Sequence, residues 1–256
     1  MTDISEDSTA NFQHQMKTLQ ADKFFEIEIT GPSQAKTVMI LVHGFGVKRD
    51  SRKLFTEITD AISDYLLVIN GDFSEVHEMS TKAIPISMQA ERLNRILQFV
   101  HETYTPDKII LLGHSQGCLT IGQAQPKNTE IILLAPPIID VAKRFAATPG
   151  WNFPGSYLNQ TGESILVRSD LVIRVRPEYW EDLHKINAIL LYTQLATTNS
   201  VRIIFAEHDE VLGPQNALGN VPTEIIPEAN HDFKDNARIR LLSHLKQALV
   251  NIQSIK

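Results

Sequence analysis

Residues 109–117 read Ile-Ile-Leu-Leu-Gly-His-Ser-Gln-Gly, and this stretch decides the fold. The four apolar residues at 109–112 suit a strand buried on both faces. Gly113-x-Ser115-x-Gly117 follows at once, and Gln116–Ala124 reads as a short helix stopped before Pro126. A serine held between strand and helix by flanking glycines is the nucleophile-elbow pattern, which needs this strand–turn–helix setting. So sharp a turn strains the serine backbone and crowds strand against helix. The positions of Gly113 and Gly117 must then be nearly free of side chain, and Cys118 is small enough to fill core beneath them.

Outward from the elbow, strand-like and helix-like segments alternate, which favours an α/β architecture around a largely parallel sheet. Residues 24–29 alternate in period two, and 37–42 (TVMILV) and 65–69 (YLLVI) are buried-strand runs. Helical spacing marks 52–62 and 86–104, and strands are expected at 108–112 and 131–134. Residues 138–198 break the rhythm and read as a cap insertion. It contains a hairpin turning near Ser169-Asp170 and a helix opened by Pro177 and running through Leu190. Strands resume at 201–205 and 223–226, followed by an amphipathic helix at 236–252. The domain reading is thus a flexible polar lead at 1–20, a core of 21–137 and 199–256, and a cap at 138–198.

A serine nucleophile needs a base, and the base needs an orienting acid. In this fold they follow the serine in the order acid, then histidine, at strand ends. Asp209 lies just past 201–205, with Glu207, Glu210 and Asp232 as competitors, and His231 lies past 223–226. His208 is a rival base, but neighbours on an extended segment point oppositely, so it and Asp209 do not both face the site. His43-Gly44-Phe45-Gly46 exits the strand 37–42. The backbone amides of Phe45 and Gln116 are the candidate oxyanion donors, with His43 bracing that loop and His114 pointing elsewhere. Trp151, Tyr157, Tyr179 and Trp180 fall in the cap, where they line a substrate pocket or build the cap's own core.

The chain of 256 residues has ordinary globular composition and a net charge of −6, which argues against a nucleic-acid surface. One cysteine allows no intrachain disulfide, and the polar N-terminus is not a signal peptide. No apolar run is long enough for a membrane span, so a cytoplasmic protein is expected. There is no His-Glu-x-x-His, no cysteine pair and no phosphate-binding loop, so no metal and no cofactor is expected.

HGFG at 43–46, LLGHSQG at 111–117, EHDEV at 207–211 and NHDF at 230–233 resemble the α/β-hydrolase superfamily, and within it the small bacterial cinnamoyl (feruloyl) esterases. The resemblance covers most of 24–253. It implies a cap after the sixth strand, hydrolysis of a small-molecule carboxylic ester, a triad of Ser115, Asp209 and His231, and Phe45 and Gln116 as oxyanion residues. Two positions depart from that family. Asn70-Gly71-Asp72-Phe73-Ser74-Glu75 replaces its Gly-rich turn after the fourth strand, and Cys118 stands where a second glycine is common. A thioesterase, lipase or peptidase on the same fold, or a non-catalytic binding homologue, is the alternative.

Overall fold

The computed structural model describes residues 12–147, 149–168, 171–214 and 218–254. In chain order the large sheet takes β1 (Phe12–Gln20), β2 (Phe24–Pro32), β3 (Thr37–Val42), β4 (Leu67–Gly71), β7 (Lys108–His114), β8 (Glu130–Leu134), β11 (Ser200–Ala206) and β12 (Thr223–Ile226). Its spatial order is β1-β2-β4-β3-β7-β8-β11-β12. From β4 to β12 the neighbours run parallel, while β1 and β2 form an antiparallel edge.

The apolar runs are continuous because both faces of the sheet are covered. On β7, Ile109 and Leu111 enter one core and Ile110 and Leu112 the other. The first core is closed by α2 (Ile86–Tyr104) and α3 (Gln116–Ala124), through Leu93, Ile96, Leu119 and Ile121. The second is closed by α1 (Leu54–Ile62) and α7 (Asn236–Ser254), through Phe55, Ile58, Leu241 and Leu245. Each such buried side chain contributes roughly 1.5–3 kcal/mol relative to exposure.

Residues 12–20 are not a flexible lead. They form β1, paired with β2 in register from Phe12↔Pro32 to Gln20↔Phe24. Only Leu19 of this strand is buried, so main-chain hydrogen bonds hold it and no apolar pattern announces it. Residues 1–11 lie outside the described residues.

The segment after β8, the sixth strand of the large sheet, carries α4 (Val141–Ala146), β9 (Ser164–Val167), β10 (Val172–Val175) and α5 (Pro177–Leu183). β9 and β10 pair antiparallel. The turn expected near Ser169-Asp170 lies outside the described residues. The single helix expected from Pro177 is two. After α5 the chain restarts as α6 (Ala188–Thr198), where the Asn187 side chain accepts the Leu190 N–H as an N-cap. α6 lies on α3, with Leu191 and Tyr192 against Gly122. The cap sheet also reaches outside 138–198. Two short strands, β5 (Ser74–Val76) and β6 (Ser80–Ala83), join it in the order β5-β6-β10-β9.

Candidate active site

Strand ends on the carboxyl side of the sheet converge at Ser115. Its backbone sits at φ 54°, ψ −122°, a region costly for a residue with a side chain. The turn is held by Ser115 N–H to Leu134 O at 2.9 Å and Cys118 N–H to Ser115 O at 3.0 Å. A Cβ on Gly117 would lie 1.9 Å from Val42 O, and one on Gly113 would lie 2.8 Å from Ile121 Cδ1 and 3.0 Å from Cys118 N. Cys118 is fully buried beneath the elbow.

Ser115, His231 and Asp209 come together. His231 Nε2 is 2.9 Å from Ser115 Oγ, and His231 Nδ1 is 2.8 Å from Asp209 Oδ2. All three residues are buried. The other Asp209 oxygen, Oδ1, accepts the N–H of Val211 at 3.0 Å and of Leu212 at 2.7 Å. Those two bonds fix the carboxylate plane, which leaves Oδ2 for the imidazole.

The competing acids do other work. Glu210 accepts the His231 backbone N–H at 2.9 Å, Glu207 accepts the Glu228 N–H at 2.8 Å, and Asp232 pairs with Arg52 at 3.0 Å. His208 is largely exposed beside Glu207, and the ring that meets Ser115 is that of His231.

The His114 ring lies 5.1 Å from the His231 ring and lines the same pocket. Its Nε2–H donates to the His231 carbonyl at 2.9 Å, so it anchors the His231 backbone. His43 accepts the Phe73 N–H at Nε2, 2.9 Å, which leaves its proton on Nδ1 to donate to Gly44 O at 2.9 Å. The Asn70–Glu75 departure therefore supplies the brace for the loop that His43 opens.

That loop lies against the serine. A Cβ on Gly44 would be 3.2 Å from Ser115 Cβ and 3.7 Å from Ser115 Oγ. Among the described residues neither the Phe45 nor the Gln116 amide donates a hydrogen bond. Gln116 is the first residue of α3, where the amide has no partner within the helix.

A pocket opens over Ser115 and His231, roofed from the cap by Phe145, Trp151, Leu166 and Arg168. Val211 and Arg52 also line it, with Phe45, Val47, His114 and Asp232. Of the four cap aromatics expected there, only Trp151 lines it. Tyr157 is 47% exposed and bridged to Ile165, because it sits on the outer edge of the hairpin. Trp180 is 1% exposed, with ring centroids 5.9 Å from Trp151 and 5.5 Å from Tyr179. It and Tyr179 form the cap's own aromatic core. Phe145, Leu166 and Val211 were not singled out from the sequence. Arg52 carries no sequence signal either; it sits in a run of three left-handed residues, Ser51, Arg52 and Lys53.

Burial pushes His43 and His114 down to about 4. For His43 the Gly44 hydrogen bond opposes this, and Arg92 and Arg49 add to it. For His114 the nearby His231 adds to it. The unfolded chain binds these protons near pH 6.5, whereas the folded chain refuses them until about 4. Their contribution is therefore complete above pH 6.5 and is lost as pH falls through 6.5 to 4, by about 3 kcal/mol per histidine at most. Asp72 acts oppositely. Burial raises it to about 6, against the pull of Arg49. The folded chain thus gains stability as pH falls from 6 toward 3.8, which offsets about one histidine. We expect the urea midpoint to drop between pH 7 and 4.5, and to drop less in His114→Gln. A midpoint flat across that window contradicts the assignment of both rings as buried and neutral.

Among the described residues no three His, Cys, Asp or Glu side chains group to hold a metal ion, and no helix is long and apolar enough to cross a membrane. No protein-family model matches the chain. No curated protein matches it in sequence.

Solved structures do match. The esterase domain of a Rhodothermus marinus protein is 16% identical over 93% of this chain and 97% of that one, with a TM-score of 0.66. Est1E from Butyrivibrio proteoclasticus, also solved with ferulic acid bound, is 14% identical over 92% and 98%, with a TM-score of 0.68. An α/β serine hydrolase homologue from Coxiella burnetii is 18% identical over 95% and 100%, with a TM-score of 0.59. The chain has the α/β-hydrolase fold.

Proposed function

We propose that this protein is a serine hydrolase that cleaves carboxylic esters of small molecules through an acyl-enzyme. The observation that carries the reading is the unbroken chain Ser115 Oγ–His231 Nε2, His231 Nδ1–Asp209 Oδ2, at 2.9 and 2.8 Å, beneath an open pocket. His231 takes the Ser115 proton as Oγ attacks the ester carbonyl. Asp209 holds the ring with its proton on Nδ1 and stabilises the imidazolium. The Phe45 and Gln116 amides receive the oxyanion. His231 returns the proton to the leaving alcohol. A water then repeats the sequence on the acyl-enzyme and frees the acid and Ser115. His43 and His114, held down at about 4 by burial, stay neutral at physiological pH and do not compete for the proton.

The apolar side chains Phe145, Trp151 and Leu166 in the pocket favour a short or aromatic acyl group. Esterase neighbours, one of them holding ferulic acid, favour an ester over a thioester or peptide. The test is a panel of p-nitrophenyl esters from acetate to octanoate, together with methyl ferulate. Hydrolysis of at least the short or aromatic members is expected. Failure on every ester with turnover of acyl thioesters would transfer the reading to a thioesterase, and failure on both would leave a peptidase or a non-catalytic homologue.

A further inference from the structure

One cap residue touches both halves of the candidate oxyanion hole. Tyr179, on α5, donates its hydroxyl to Gln116 Oε1, and its ring lies 5.6 Å from the Phe45 ring. Gln116 Nε2 donates to Gln89 Oε1 at 3.2 Å, Thr120 Oγ1 donates to the same oxygen at 2.9 Å, and Gln89 Nε2 donates to Ile84 O at 2.8 Å. Every side chain in this network is buried, so each bond lost leaves a polar atom without water to replace it. The loop half is clamped as well. The Phe45 ring also meets Phe145 at 5.3 Å, and a Cβ on Gly46 would strike Ile173 Cδ1 of β10 at 2.3 Å.

We infer that Tyr179 is a positioning residue for the oxyanion hole, and that the seating of the cap sets the geometry of the Phe45 and Gln116 amides. A small insertion needs an aromatic core, but it does not need a buried hydroxyl bonded to the residue after the nucleophile. Burying a phenol is costly unless it is hydrogen-bonded. The bond formed here is to one of the two residues whose backbone amides are to face the developing charge. Preorganised donors work only if they do not have to move during the reaction. A Gln116 side chain pinned between Tyr179 and Gln89 fixes the first turn of α3, and with it that amide.

This inference rests on the acyl-transfer reading, and the test separates the two. Tyr179→Phe keeps the ring and removes only the hydroxyl. Tyr192→Phe is the matched control, since Tyr192 is fully buried and its hydroxyl has no partner among the described residues. Both variants are compared with the unaltered chain for kcat and KM on p-nitrophenyl acetate and for the rate of labelling by a fluorophosphonate, whose phosphoryl oxygen uses the same amides. We expect Tyr179→Phe to lower kcat and the labelling rate about tenfold, with KM held within about twofold. Tyr192→Phe should change neither.

Wild-type kcat and labelling in Tyr179→Phe overturn the inference, as does a rise in KM alone or an equal loss in Tyr192→Phe. If Tyr179→Phe does not fold, Gln89→Met releases the other end of the Gln116 amide and should give the same kcat-only loss; unchanged kcat there overturns it equally. An unaltered chain that is neither labelled nor active overturns the acyl-transfer reading, and the inference falls with it.

Discussion

Asp209→Asn is expected to lower kcat on a p-nitrophenyl ester on the order of 10⁴-fold while leaving KM near its original value. The argument lies in the hydrogen bonds of the carboxylate. Oδ1 accepts two backbone N–H groups, from Val211 and Leu212. An amide NH₂ cannot stand there, so the asparagine oxygen must take that position. Its NH₂ then faces His231 Nδ1, where Oδ2 stands at 2.8 Å. A donor at that point forces the ring proton onto Nε2. The nitrogen 2.9 Å from Ser115 Oγ then carries a hydrogen and cannot accept the serine proton. The fold should be unaffected, because the turn keeps its acceptor. A fall in kcat of less than about tenfold would show that Asp209 does not set the tautomer of His231.

Gly117→Ala is expected to prevent assembly of the site altogether. The added methyl would lie 1.9 Å from Val42 O, 2.7 Å from Val42 C and 2.8 Å from His43 O. All three are main-chain atoms at the end of β3, so no side-chain rotation relieves the clash. Either α3 moves off β3 or the loop at 43–46 is displaced, and both separate the nucleophile from its oxyanion donors. Overpacking alone typically costs about 1–3 kcal/mol, and this contact is more severe than most. Gly113→Ala is a milder comparison, since its closest contact, 2.8 Å, is with the flexible end of Ile121 and its main-chain contacts, Cys118 N and Gly117 C, lie at 3.0 Å. Soluble expression, circular dichroism and ester turnover read both variants. Gly117→Ala recovered folded and active would contradict the described elbow.

The residues that bear the proposed chemistry were legible because each sits where a buried strand ends. β7 and β11 are short apolar runs with both faces covered, β12 is an edge strand that buries only Ile226, and the chain beyond each must deliver its side chains to one side of the sheet. Order and strand position favoured His231 over His208, whereas position alone did not separate Asp209 from Glu207, Glu210 and Asp232; the contact of Asp209 Oδ2 with His231 Nδ1 distinguishes it. What escaped the sequence was whatever depends on distant pairing. β1 is held by its ladder to β2 and buries only Leu19, so its polar residues looked like a tail. β5 and β6 are short and mixed in polarity, and β6 gains its second partner from β10, some ninety residues away in the chain. The break between α5 and α6 did carry a local sign, Asn187 ahead of an apolar run, which is an N-cap signature. The pocket was the least legible part. Phe145 and Leu166 face Ser115 only because of the angle at which the cap docks, and no periodicity encodes that angle.

The most direct test of the account is covalent. Incubation of the full chain with a fluorophosphonate, followed by proteolysis and mass spectrometry of the peptide spanning 109–124, should place one adduct on Ser115. The adduct should be absent from Ser115→Ala, with the circular dichroism spectrum unchanged. An adduct on any other residue, or an unlabelled chain that hydrolyses esters nonetheless, would contradict the assignment of Ser115 as the nucleophile.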